Sequence, residues 1–126
     1  MFLIDTDVLI WYLRGNTKAK TVVEHQESFF ISVVTYMELV QGMRNKKELA
    51  VLRSTLRQWG VKILYLNEEI SVKAMFFVEH HYLSHSLQLA DALIAATAFA
   101  NGLTVLTADT KHYEVISDIE VAIFKP

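Results

Sequence analysis

Short apolar runs alternate along this chain with longer segments in which apolar positions recur every three or four residues. Phe2-Leu3-Ile4 is the first such run, and it stops at Asp5. It reads as a short buried strand. Val8 to Leu13 follows as a helix halted by Gly15, and residues 17–26 read as a second helix. Phe29-Phe30-Ile31 is the next strand, closed by Ser32, a favourable N-cap for a helix reaching Gly42. Asn45 is placed to cap another helix running through Trp59, where Leu49, Leu52, Leu56 and Trp59 form one stripe. Gly60 breaks it, and Val61 to Leu66 reads as a third strand. Asn67 caps a helix with Glu68 and Glu69 in its first turn, where the helix dipole favours acids. Leu87 to Asn101 is a further helix with Gly102 at its C-terminal cap. Thr104 to Thr107 and Val121 to Phe124 complete the strands.

Strands separated by helices need crossover connections, so this order predicts a parallel sheet covered on both faces. The strands are apolar throughout rather than alternating, as doubly covered strands are. The expected fold is therefore an α/β, three-layer α/β/α sandwich around a five-stranded parallel sheet. Ligands of such sheets sit beyond the carboxyl ends of the strands, near the point where strand order switches.

Composition narrows the picture. The 126 residues, with no linker-like tract and one proline at the end, predict a single domain over 1–126. Hydrophobic residues at 52% and charged residues at 21% exclude a disordered chain. Cysteine is absent, which excludes disulfides, thiolate metal sites and a cysteine nucleophile. No apolar stretch has the length of a bilayer span, and Asp5 and Asp7 sit where a signal peptide would need a basic end. The expectation is a cytoplasmic protein with no membrane association. Net charge is −2, yet residues 44–62 hold Arg44, Lys46, Lys47, Arg53, Arg57 and Lys62 against Glu48 alone, a net of +5. That segment reads equally as a solvated helix face or as a face for a polyanion.

The candidate chemistry is acidic. Asp5 closes the first strand, and Asp109 lies two residues past the end of the fourth. Both are expected at the carboxyl edge of the sheet. Glu38 and Asp91 sit in apolar surroundings near helix starts, and no lysine or arginine lies close in sequence to Asp5, Glu38 or Asp91. Taken singly, each acid also fits a cap, a first helical turn or a loop. Taken together, carboxylates crowded into one pocket repel each other unless a cation joins them. Hard oxygen donors suit magnesium or manganese, which would prepare the site for phosphodiester hydrolysis.

The ordered set of motifs resembles a known family. Leu3-Ile4-Asp5-Thr6-Asp7-Val8-Leu9-Ile10, Ile31-Ser32-Val33-Val34-Thr35-Tyr36-Met37-Glu38-Leu39 with Gly42, Asp91 to Ala98, and Leu106-Thr107-Ala108-Asp109-Thr110-Lys111-His112-Tyr113 are similar to the four motifs of PIN domains, especially small VapC-type toxin ribonucleases. The resemblance runs nearly end to end. It implies an Mg2+- or Mn2+-dependent endoribonuclease, with Asp5, Glu38, Asp91 and Asp109 as the acidic metal site and Thr107 as a supporting hydroxyl. It also implies RNA as substrate, an antitoxin partner in a type II toxin–antitoxin pair, and a homodimer. Arg44, Lys46, Lys47, Arg53 and Arg57 are the candidate contacts to the RNA backbone. Asp7 stands where the family more often has Asn, and Ala108 where many relatives carry a larger, often basic residue.

Several features stay open. Ala74-Met75-Phe76-Phe77-Val78 is apolar around more than one helical face, fitting either two-sided packing or a dimer contact. Trp11, Tyr12, Tyr36, Met37 and Met43 fit either core or an antitoxin-binding surface. His81 and His85 are four apart, but no third zinc ligand is evident near them. Asp5-Thr6-Asp7 after a strand also resembles the nucleophile motif of haloacid-dehalogenase phosphatases, with Asp5 attacking phosphorus. That reading leaves Glu38 without a role. A third alternative is a catalytically silent PIN-fold binding module.

Overall fold

A computed structural model describes all residues, Met1 to Pro126. The elements in chain order are β1 (Phe2–Ile4), α1 (Thr6–Leu13), α2 (Thr17–Glu24), β2 (Phe30–Ser32), α3 (Val33–Gln41), α4 (Lys46–Gln58), β3 (Lys62–Leu64), α5 (Glu68–His85), α6 (Leu89–Asn101), β4 (Thr104–Thr107), α7 (Thr110–Tyr113) and β5 (Val121–Ile123). The five strands form one sheet in the order β3-β2-β1-β4-β5. Every pairing is parallel, with Leu3 opposite Phe30 on one side and Val105 on the other.

Side-chain alternation along the strands divides the interior into two cores. Leu3 and Val105 point to one face, where Ile70, Ala74 and Phe77 of α5, the Ala92–Ala98 stretch of α6, and Tyr113 of α7 cover them. Ile4, Ile31 and Leu106 point to the other face, under Val8 and Leu9 of α1, Val23 of α2, and Leu52 and Leu56 of α4. Helix α3 straddles the two, burying Val34 in the first core and Leu39 in the second. This is the expected three-layer sandwich. Phe77 is fully buried against Phe99, with ring centroids 6.5 Å apart. Phe77→Ala should therefore lower unfolding stability by about 3–5 kcal/mol, read from the urea midpoint.

The local caps follow from sequence chemistry. Ser32, Asn45 and Asn67 accept from the backbone N–H groups of Val34, Glu48 and Ile70. Gly102 ends α6 in the left-handed region at φ 63°, which glycine adopts without steric cost. Some boundaries differ from expectation. Helix α1 starts at Thr6, because Asp5 itself is the cap. Strand β3 stops at Leu64 because its partner β2 turns into α3 after Ser32, leaving Tyr65 68% exposed. The four-residue α7 is too short to leave a periodic signature. No helix is long and apolar enough to cross a membrane.

Candidate active site

In this strand order the connections switch direction between β1 and β4, and that is where the acids gather. Asp5 follows β1 directly. Its backbone N–H donates to Leu106 O of β4 at 2.9 Å, continuing the ladder by one residue. Its carboxylate then turns to cap α1, with Oδ1 accepting from Thr6 N at 2.8 Å. The other oxygen accepts from the Thr107 hydroxyl at 2.8 Å. Thr107 is fully buried, and its Oγ1 also accepts from Asp109 N at 2.9 Å. One hydroxyl thus ties the end of β1 to the loop that carries Asp109.

Asp7 lies in the first turn of α1 and leans onto the same loop. Its Oδ2 accepts from Ala108 N at 3.1 Å and lies 3.3 Å from Thr107 Oγ1. Its Oδ1 is buried with no partner at all. Glu38 comes from α3, and its Oε1 accepts from Thr6 Oγ1 at 2.7 Å. Thr35 Oγ1 lies 3.0 Å from the same hydroxyl. A hydroxyl has one proton, so with Glu38 taking it, Thr35 must be the donor in that pair. Asp91 sits in the first turn of α6, with Oδ1 3.4 Å from the hydroxyl of buried Tyr113. Asp109 Oδ2 is 2.7 Å from His112 Nδ1, and Asp91 Oδ2 is 3.6 Å from the same nitrogen.

The electrostatics show that these groups share one space. Burial and the neighbouring Asp7 charge push the Asp5 carboxyl from 3.8 up to about 7. Burial raises Asp7 as well. Asp91 is raised by burial, and the charges of Asp109 and Glu38 act in the same direction. The Tyr113 phenol is held well above its ordinary range by burial and by Asp5, Asp91 and Asp7. Asp109 raises His112, mainly by accepting its hydrogen bond. No lysine or arginine pairs with any of these carboxylates; their ion pairs are with His112 alone.

The residues fit a divalent cation. The donors are mostly hard carboxylate oxygens, one of them is an orphaned buried atom, and burial together with the Asp7 charge makes ionisation of Asp5 costly, a cost that a cation would offset. The donor atoms of Asp91, Asp109 and His112 all lie within 4.8 Å of one another.

Asp5, Glu38, Asp91, Asp109 and Thr107 thus converge on one edge of the sheet. The basic candidates divide. Arg44 and Lys47 line a groove of about 1020 Å³ that Glu38 also lines. Arg44 is 84% exposed in its side chain and pairs with Glu48 at 2.8 Å. Arg53, 3.4 Å from the Tyr36 hydroxyl, and Arg57 line a neighbouring hollow with Met37 and Tyr65. Lys46 lies at the start of α4 and lines neither. Thr6, Thr35, Tyr113 and His112 were not expected at the site. Their signal was faint, since a threonine or a tyrosine in a motif looks like any other core or cap residue.

The chain is thus an α/β domain with an acidic cluster at the β1/β4 switch of its five-stranded parallel sheet. A PIN domain model matches residues 2–117, and the chain belongs to the PIN domain family. Among curated relatives, it is 31% identical over 124 residues to Ribonuclease VapC10 of Mycobacterium tuberculosis, covering 95% of this chain and 91% of the relative. Among solved structures, a toxin–antitoxin complex from Klebsiella pneumoniae aligns at TM-score 0.78 and 28% identity, covering 97% of this chain and 96% of that one. VapBC2 from Rickettsia felis, bound to a DNA fragment from its promoter, aligns at TM-score 0.84 over 98% of each chain; at 16% identity it shows the fold alone.

Proposed function

We propose that residues 1–126 act as one nuclease domain, an Mg2+- or Mn2+-dependent endoribonuclease that is the toxin of a type II toxin–antitoxin pair. The observation that carries this reading is the crowding of Asp5, Asp7, Glu38, Asp91 and Asp109 closely enough that their charges act on one another, with Asp7 Oδ1 left without a partner. The names of the relatives and of the aligned complexes supply the substrate class and the kind of partner.

Asp5, Glu38, Asp91 and Asp109 hold the cation. A divalent ion there supplies positive charge for the phosphodiester oxygens and acidifies water. Thr107 keeps the Asp5 and Asp7 carboxylates facing inward. Glu38, fixed by the Thr6 hydroxyl, joins the ligand set or orients the attacking water. Arg44, Lys46, Lys47, Arg53 and Arg57 hold the RNA backbone without reading sequence.

The groove beside Glu38 has an apolar floor of Ile10, Leu13, Leu39, Met43 and Leu52, with Arg14, Arg44 and Lys47 along it. It suits an amphipathic antitoxin segment lying next to the acids, with acidic side chains on its flank. A homodimer is served by α5 and the start of α6. Val72, Met75, Phe76, Leu83 and Leu89 are all exposed there, Leu83 to 94%. The cytoplasm, where RNA is available, is the compartment this activity needs.

Incubation of the purified chain with structured RNA tests the activity. Cleavage is expected with Mg2+ or Mn2+ and should stop with EDTA; equal cleavage in EDTA would remove the metal-dependent reading. Hydrolysis of small phosphomonoesters through a trapped phospho-aspartate on Asp5 would instead favour the phosphatase alternative, and metal-independent RNA binding without cleavage the silent binding module. Sedimentation equilibrium at micromolar concentration should give twice the chain mass. A monomer would remove the dimer.

A further inference from the structure

Beyond the acids, one more donor reaches the hollow. His112 lies on α7, three residues after Asp109, and its Nδ1 is 2.7 Å from Asp109 Oδ2 and 3.6 Å from Asp91 Oδ2. Two ligands of one ion, with bonds of about 2.1 Å at right angles, stand about 3 Å apart. When opposed across the ion they stand about 4.2 Å apart. The 2.7 Å separation is a hydrogen bond in the metal-free chain, and both separations lie near the spacing that neighbouring ligands of a common ion take up.

Two independent elements set this arrangement. Asp91 is carried by the first turn of α6, and Asp109 and His112 by α7. The short α7 is anchored by Tyr113, which is fully buried in the core and turns its hydroxyl toward Asp91. With Tyr113 fixed inward, the preceding residue is held beside Asp109 and Asp91. The His112 side chain is 33% exposed, so a ligand can reach it.

We propose that His112 Nδ1 is a ligand of the cation held by Asp91 and Asp109, and that this nitrogen tilts the site toward manganese over magnesium. The proposal rests on the metal-dependent reading of the acidic hollow. Magnesium prefers oxygen donors, whereas imidazole adds more to the binding of transition metals. In the metal-free chain the same nitrogen bonds to Asp109 and holds the donors close together.

Pulsed electron paramagnetic resonance of the full chain loaded with Mn2+ tests this without any assay of cleavage. Imidazole-nitrogen modulation is expected in the parent, and it should shift when histidine is isotopically labelled. It should vanish in His112→Ala, whose circular dichroism and Tm are checked alongside. Calorimetry should show His112→Ala losing about tenfold or more in Mn2+ affinity and distinctly less in Mg2+ affinity. Bound Mn2+ with oxygen ligation only in the parent would overturn the His112 proposal and leave the metal site standing. So would nitrogen modulation that persists in His112→Ala, or an unchanged Mn2+ to Mg2+ ratio. Absence of saturable Mn2+ binding by the parent would overturn both.

Discussion

Asp5→Asn is expected to abolish RNA cleavage while making the metal-free protein more stable above neutral pH. The loss of rate should be about a thousandfold or more, since one negative charge is removed from the carboxylates proposed to hold the cation. The fold should survive, because the amide can be satisfied in place. Its oxygen still accepts from Thr6 N, and its NH2 donates to Thr107 Oγ1. The Thr107 proton then turns to Asp7 Oδ2, already 3.3 Å away. The stability gain follows from burial of the Asp5 charge beside Asp7. A carboxyl held at about 7 in the fold, against 3.8 ordinarily, costs about 4 kcal/mol of stability once it is ionised in both states. Asparagine removes that cost. Rates on RNA with Mn2+, and Tm of the same samples at pH 8 and pH 4, check both halves. Cleavage within tenfold of the parent would sink the assignment of Asp5. A Tm that falls at pH 8 would show that its charge is compensated in the fold.

The second large effect is a pH-dependent stabilisation by metal. Between about pH 4 and pH 7 the unfolded chain has released the Asp5 proton and the folded chain still holds it. The folded state binds more protons, so stability falls as pH rises. Asp7 and Asp91, also raised, act in the same direction. His112, raised above 6.5, contributes stability below that pH that is lost as pH climbs through its folded value. The metal-free protein should therefore be more stable near pH 5 than at pH 8. A divalent ion at a hundred times its dissociation constant adds about 2.7 kcal/mol, which for a chain of this size is about 10 °C in Tm. That shift should be large at pH 8, small at pH 5, and reversed by EDTA. Equal shifts at both pH values would mean that the ion binds somewhere other than the crowded carboxylates.

Much of the framework is legible in the amino-acid sequence. Ser32, Asn45, Asn67 and Gly102 terminate elements through local hydrogen bonds or backbone freedom, and such effects show within a few residues of sequence. The inner strands β1, β2 and β4 are legible because burial on both faces demands continuous apolar runs. The expected convergence of Asp5, Glu38, Asp91 and Asp109 came from where parallel-sheet loops must lie, together with the resemblance of the four motifs. What stayed hidden depends on contacts between distant segments. The end of β3 is set by where β2 turns away, not by Tyr65 itself. Helix α7 has no periodic pattern, so the inward turn of Tyr113 and the placement of His112 beside Asp91 had no sequence signature. The division of the basic residues between two hollows depends on how α4 lies against α1 and α3.

The tie between Asp5 and Thr107 joins positions 102 residues apart. A ribosome therefore finishes the first half of the hollow long before the second half exists. A nascent or prematurely released product ending before Thr104 lacks the strand beside β1, the hydroxyl that orients Asp5, and the last carboxylate. In such fragments the proposed cation site stays incomplete until β4 and the loop after it are in place.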